Sequence, residues 1–190
     1  MVARTLRFLG AAALLAAPLA LRAQDPTRCT AAGAQEVRGL TFVGNRVYED
    51  AALANGIVTE PSSLVRRWFR FFGVRRCLSR LELGNDVKRL LYLYRLTGYP
   101  GVQVDSIVRV LSPGRVAVSF RITEGAPVII DTLNIRGLDA VPEREMITAR
   151  LPLRQDSAFN RFKRQATTDS ITRRLRDAGY PGAEVFPGHA

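Results

Sequence analysis

The chain has 190 residues, a formal net charge of +11 and 47% apolar residues. That apolar share supplies ordinary cores and excludes wholesale disorder, while the length allows one medium domain or two small ones. The positive balance selects anionic partners (acidic polypeptides, lipid headgroups or nucleic acid), or it is a solvated arginine-rich surface with no such partner.

Met1 to Arg7 carries two arginines, and Phe8 to Leu21 is an apolar run of 14 residues. Leu21-Arg22-Ala23 then places a small residue ahead of polar Gln24-Asp25-Pro26. This is the layout of a secretory signal peptide over residues 1–23, and the run is short of the ~20 residues of a membrane span. An uncleaved anchor and an amphipathic transit peptide are the alternatives. Export places the mature chain outside the cytoplasm and argues against nucleic-acid partners. Residues 24–35 read as an N-terminal tail. In an oxidising compartment Cys29 and Cys77 either form a disulfide that pins this tail or remain two unrelated thiols.

The first mature element is a strand at about 37–43, where alternating Val37-Arg38-Gly39-Leu40-Thr41-Phe42-Val43 closes on Gly44. A short helix follows at about 48–56. A long helix is expected at about 80–97, because Leu83, Val87, Leu90, Leu91 and Tyr94 make one apolar stripe. Gly98 stands where a left-handed helix cap favours glycine, and Pro100 ends the helix and launches an extended segment. Strands at about 102–111 and 115–123 flank Ser112-Pro113-Gly114, a tight-turn sequence, and are expected to form an antiparallel hairpin. Val116, Val118, Phe120 and Ile122 give the second of these strands one apolar face.

The same signals then recur. Ile130-Asp131-Thr132-Leu133-Asn134-Ile135-Arg136-Gly137 repeats the first strand and its glycine 93 positions on, so a strand is expected at about 128–136. Short and long helices follow at about 142–150 and 158–178, the latter with a weaker stripe of Phe162, Ala166, Ile171, Leu175 and Ala178. Gly98-Tyr99-Pro100-Gly101 reappears as Gly179-Tyr180-Pro181-Gly182, 81 positions on. The two offsets differ by 12 residues, an insertion in the first unit within about 61–79. The expectation is an α+β chain of two tandem small modules, 36–125 and 126–190, each a three-stranded mixed sheet with two helices on one face. The second stops at the start of its later strands, so it is expected to be incomplete.

The insertion holds Ser-Leu-Val-Arg-Arg-Trp-Phe-Arg-Phe-Phe over residues 63–72. On a helix, Leu64, Val65, Trp68, Phe69, Phe71 and Phe72 cover an arc of roughly 160°, opposite Arg66, Arg67 and Arg70. That pattern suits an anionic membrane surface, a partner protein, or packing on the chain's own module. The only histidine is His189, the cysteine spacing fits no metal site, and no phosphate-cradling glycine loop is present. No catalytic residue, metal or cofactor is assigned, and the chain is not expected to be an enzyme.

The strand–helix–helix–strand–strand order, the glycine after the first strand, Gly98-Tyr99-Pro100-Gly101 and Ile122-Thr123-Glu124-Gly125-Ala126-Pro127 together resemble POTRA domains. Tandem POTRA units behind a signal peptide resemble the periplasmic arms of BamA- and TamA-like outer-membrane assembly factors, here without the β-barrel. The resemblance implies binding of unfolded outer-membrane protein clients and accessory envelope proteins, in the periplasm beside the outer membrane. It also makes the strand at 102–111 the candidate client edge, with Val104, Ile107, Val108 and Val110 as contacts. An FtsQ-like cell-division scaffold is the alternative.

Overall fold

The computed structural model describes residue 29, residues 33–65, residue 69 and residues 73–188; the signal-peptide expectation lies outside them. The described elements are β1 (Glu36–Val43), α1 (Asp50–Asn55), α2 (Arg80–Leu96), β2 (Gln103–Ser112), β3 (Arg115–Thr123), α3 (Arg144–Thr148) and α4 (Arg161–Asp177).

The first five elements build the expected α+β unit. The sheet order is β1-β3-β2, with β3 parallel to β1 and antiparallel to β2. A central strand loses solvent on both edges, so its inward side chains are the most buried. Val116, Val118 and Phe120 are fully buried and Ile122 nearly so. Each such side chain contributes about 1.5–3 kcal/mol through burial. The α2 stripe lies over them: Leu83, Leu90 and Tyr94 are buried and Val87 and Leu91 pack at the margin. Leu53 of α1 completes the core. Ser79 caps α2 by accepting the Glu82 amide, and Gly98, at φ +97°, ends it. Gly114, at φ +72°, supplies the left-handed position that turns β2 into β3.

A second, separate core gathers Val141, Ile147, Leu151, Ile171 and Leu175 around α3 and α4. The strand expected over 128–136 is not there. Among the described residues, 131–136 belong to no strand, and the ladder contact nearest them is an isolated bridge between Ile129 and Ala158. The reason is visible in the first unit, where β3 pairs with β1 from Glu36 to Val43. No described segment stands beside 131–136 in that role, and a strand is defined by its neighbour as much as by its alternation. The expected α4 stripe also needs correction. Phe162, Ala166 and Ala178 are exposed, and the buried positions are Thr167, Ile171 and Leu175. These lie 81 positions after Asp86, Leu90 and Tyr94, so the α2 register carries over where apolar character alone misleads.

The backbone repeats more faithfully than the side chains. In the first unit Val37 N–H donates to the Arg76 carbonyl and Leu78 N–H to the Gln35 carbonyl. In the second, Ile130 N–H donates to Ser157 and Phe159 N–H to Val128. The Val37 carbonyl accepts from Ser62 N–H as the Ile130 carbonyl accepts from Asp156 N–H. The extra residues of the first unit therefore lie between Ser62 and Arg76. Ser63 N–H donates to the Val74 carbonyl at 3.2 Å and closes the neck of this excursion.

Candidate functional site: an open sheet edge

β1 and β2 are the two outer strands of the sheet, and the fold treats them differently. The start of β1 is covered by the segments around Ser62 and Arg76–Leu78, which take up Val37 N–H and C=O at 2.9 and 2.8 Å. A disulfide between Cys29 and Cys77 ties the tail to the same segment. Beyond the bulge between Val37 and Gly39, five residues of β1 remain before Gly44. β2 is ten residues long, and among the described residues its only strand partner is β3. Its outer edge therefore presents unpaired N–H and C=O groups over a length that suits another strand.

The side chains on that edge divide by position. Val104 is 8% exposed and belongs to the module core, paired across from Ile122. It supports β2 rather than facing a ligand, which corrects its expected role as an edge contact. Ile107, Val108 and Val110 are 40%, 37% and 66% exposed, and Leu111, which the sequence reading passed over, is 47% exposed. Val108 and Val110 lie on the helix side of the sheet, opposite Val118 and Val116, but project past the helices. Ile107 lies on the uncovered face, opposite Ser119, and Arg109 lies there opposite Ala117. Four large apolar side chains thus flank one unpaired backbone edge. The signal for Leu111 was its adjacency to the Ser112-Pro113-Gly114 turn.

Two polar anchors hold this frame, and neither was singled out from the sequence. Asp86 is fully buried in α2; its Oδ1 accepts Val58 N–H and its Oδ2 Thr59 N–H, each at 2.8 Å, and Arg89 also donates to Oδ1. It fixes the chain after α1 to the long helix. A charged residue within the buried stripe between Leu83 and Leu90 was the legible clue. Glu124, at the exit of β3, accepts Arg46 N–H, Val47 N–H and the Tyr94 hydroxyl at 2.7, 2.9 and 3.0 Å. Burial raises the pKa of its carboxyl, but these three donors outweigh burial and hold it below the ordinary carboxylate range. Burial, and then the Glu124 charge, push the Tyr94 and Tyr99 hydroxyls upward. Tyr48, Tyr94 and Tyr99 pack edge to face around this point.

Of the basic aromatic segment, Leu64, Val65 and Phe69 are exposed. Arg66, Arg67, Trp68, Arg70, Phe71 and Phe72 lie outside the described residues. Among the described residues no cluster of metal-ligating side chains occurs, and no helix is long and apolar enough to cross a membrane.

No protein-family model and no curated protein matches the chain. Among solved structures it is similar to POTRA domains 3–5 of BamA from Haemophilus influenzae, with 20% identity over 80% of this chain and 58% of that one, at a TM-score of 0.42. It is similar to POTRA domains 1–2 of the periplasmic domain of Omp85 from Anabaena, with 18% identity over 80% and 84% of the two chains and a TM-score of 0.37. A third is the N-terminal domain of Omp85 from the thermophilic cyanobacterium Thermosynechococcus elongatus, at 20% identity, 77% and 56% coverage and a TM-score of 0.34. The chain spans less than two thirds of the Haemophilus and Thermosynechococcus chains.

Proposed function

We propose that this chain is a periplasmic POTRA-type arm that receives extended polypeptides, such as unfolded outer-membrane protein clients, by strand addition to β2. The observation that supports the reading is the ten-residue outer edge of β2, without a described strand partner and flanked by exposed Ile107, Val108, Val110 and Leu111. An added strand gains backbone hydrogen bonds with little demand on its sequence, and the alternate apolar side chains provide contact area. In this reading the modules are 36–125 and 126–190, the arm works beside the outer membrane, and it has no catalytic step. The basic aromatic excursion is the arm's contact with accessory envelope proteins or an anionic membrane surface; Leu64, Val65 and Phe69, already exposed, support that part.

The test is photo-crosslinking from position 107 of the mature protein to a urea-unfolded β-barrel polypeptide. Crosslinks are expected at 107 and not at Thr41 on β1, and Val110→Lys is expected to weaken binding about tenfold by placing a charge on the edge. Equal crosslinking from 107 and 41, or unchanged binding by a folded Val110→Lys protein, removes the reading.

A further inference from the structure

The two faces of β2 carry different chemistry. On the helix side, Val108 and Val110 are exposed and apolar. On the helix-free side, Asp105, Ile107 and Arg109 stand in one row, and all three are exposed. A negative, an apolar and a positive group thus follow one another at every second residue, with about 13 Å of strand between the two charges.

The neighbours of this row across the sheet differ. Asp105 is opposed by Arg121 and Ile107 by Ser119. Arg109 is opposed by Ala117, which is opposed in turn by Gly39 of β1, so small neutral residues meet its charge all the way across the sheet. Among the described residues neither Asp105 nor Arg109 forms an ion pair. The place left for a partner to Arg109 is the position directly opposite it on an added strand.

We infer, resting on the strand addition proposed above, that Asp105 and Arg109 select the charge order of the strand that joins β2. Directly opposed side chains in a ladder are close enough for opposite charges to attract and like charges to repel. In antiparallel addition, the more stable pairing per residue, the strand that fits reads acidic, apolar, apolar, polar, basic from its N-terminal side. Its acid faces Arg109, its two apolar residues face Val108 and Ile107, its polar residue faces Ser106 and its base faces Asp105. A slip of one position throws both charges to the other face, and a slip of two sets the acid against Ile107. A strand with the charges in reverse order must oppose like charges or turn to the weaker parallel pairing. The backbone ladder supplies affinity without choosing register or direction; these two side chains make that choice.

Two peptides of one composition test this: Thr-Val-Glu-Val-Ile-Thr-Lys-Thr and Thr-Val-Lys-Val-Ile-Thr-Glu-Thr. Each is titrated into the full chain, with amide hydrogen exchange read over 103–111. In dilute salt the first is expected to protect β2 at a concentration about threefold lower than the second or less. The difference is expected to vanish in about 1 M salt, where charges are screened within about 3 Å. In a chain carrying Asp105→Arg and Arg109→Asp, the preference between the peptides is expected to reverse. Equal protection of wild-type β2 by the two peptides overturns the inference and leaves strand addition standing, as does a preference that survives the charge exchange unchanged. If neither peptide protects 103–111 at saturation, strand addition and the inference fall together.

Discussion

Gly44 and Gly137 end equivalent segments in the two units, at φ +90° and +83°, yet their surroundings are opposite. A Cβ on Gly44 would meet the Ile122 carbonyl oxygen at 2.2 Å, whereas one on Gly137 meets nothing within 4 Å. Gly98 and Gly179 repeat the contrast. Both sit at φ +97°, but Gly98 lies against the Phe159 carbonyl oxygen, 2.3 Å from where its Cβ would be, and Gly179 stands open. Local backbone geometry thus follows local sequence in both units. What the geometry is for depends on what has packed against it: β3 at Gly44, and the segment just ahead of α4 at Gly98.

The largest test of that contrast is substitution at the strand-end glycines. Gly44→Ala is expected to cost about 3 kcal/mol or more, because left-handed strain adds to a clash with backbone that cannot step aside. Gly137→Ala carries the strain alone, at about 1 kcal/mol. Urea unfolding of the two variants measures the difference, and equal losses would break the comparison.

Next in size is the helix anchor. Asp86 holds two amides of the chain after α1, while the equivalent Thr167 holds only Leu153 N–H, at 2.9 Å. Asp86→Asn leaves one oxygen for two buried donors and is expected to cost about 2 kcal/mol. Thr167→Val is expected to cost about 1 kcal/mol, since a single neutral bond is lost. Thermal unfolding followed by circular dichroism reads both.

At the unit junction, where Val128 N–H also donates to the Gly98 carbonyl at 2.7 Å, Gly98→Ala is expected to speed amide exchange across 128–130 while leaving the β2–β3 hairpin protected. Gly179→Ala is expected to leave both regions unchanged. Faster exchange throughout the first unit after Gly98→Ala would mean that the glycine supports the module itself rather than the joint.

The smallest effect is a pH dependence set by Glu124 in the first unit. The Glu124 carboxyl is lowered in the folded protein from an ordinary value near 4.5, so the unfolded chain takes up its proton first. The stabilisation is complete above that ordinary value and is lost as pH falls through the lowered folded one. Glu124 is partly exposed, which screens the gain. Urea midpoints between about pH 6 and pH 3 are expected to fall more steeply for the wild-type chain than for Glu124→Gln. Leu175 takes the place of Tyr94 in the second unit and has no hydroxyl to donate.

Much of this was legible in the residues. Alternation in 115–123, the stripe of α2 and the glycines at 44, 98 and 114 named their elements because each depends on neighbours a few positions away. The repeat offset held equally well: carried from Asp86, Leu90 and Tyr94, it lands on Thr167, Ile171 and Leu175, where apolar character by itself chose exposed Phe162 and Ala166. Val104 and Val110 look alike in sequence, yet one is core and the other exposed, because burial depends on what packs on each position from elsewhere in the chain. Residues 131–136 repeat the letters of a strand without becoming one, because hydrogen-bonded pairing is supplied by another segment and not by the segment itself. Composition and periodicity determined which stretches favour extended or helical backbone. Only the tertiary structure decided which extended stretch became central, which edge was covered and which stayed open, since those depend on contacts between residues far apart in the chain.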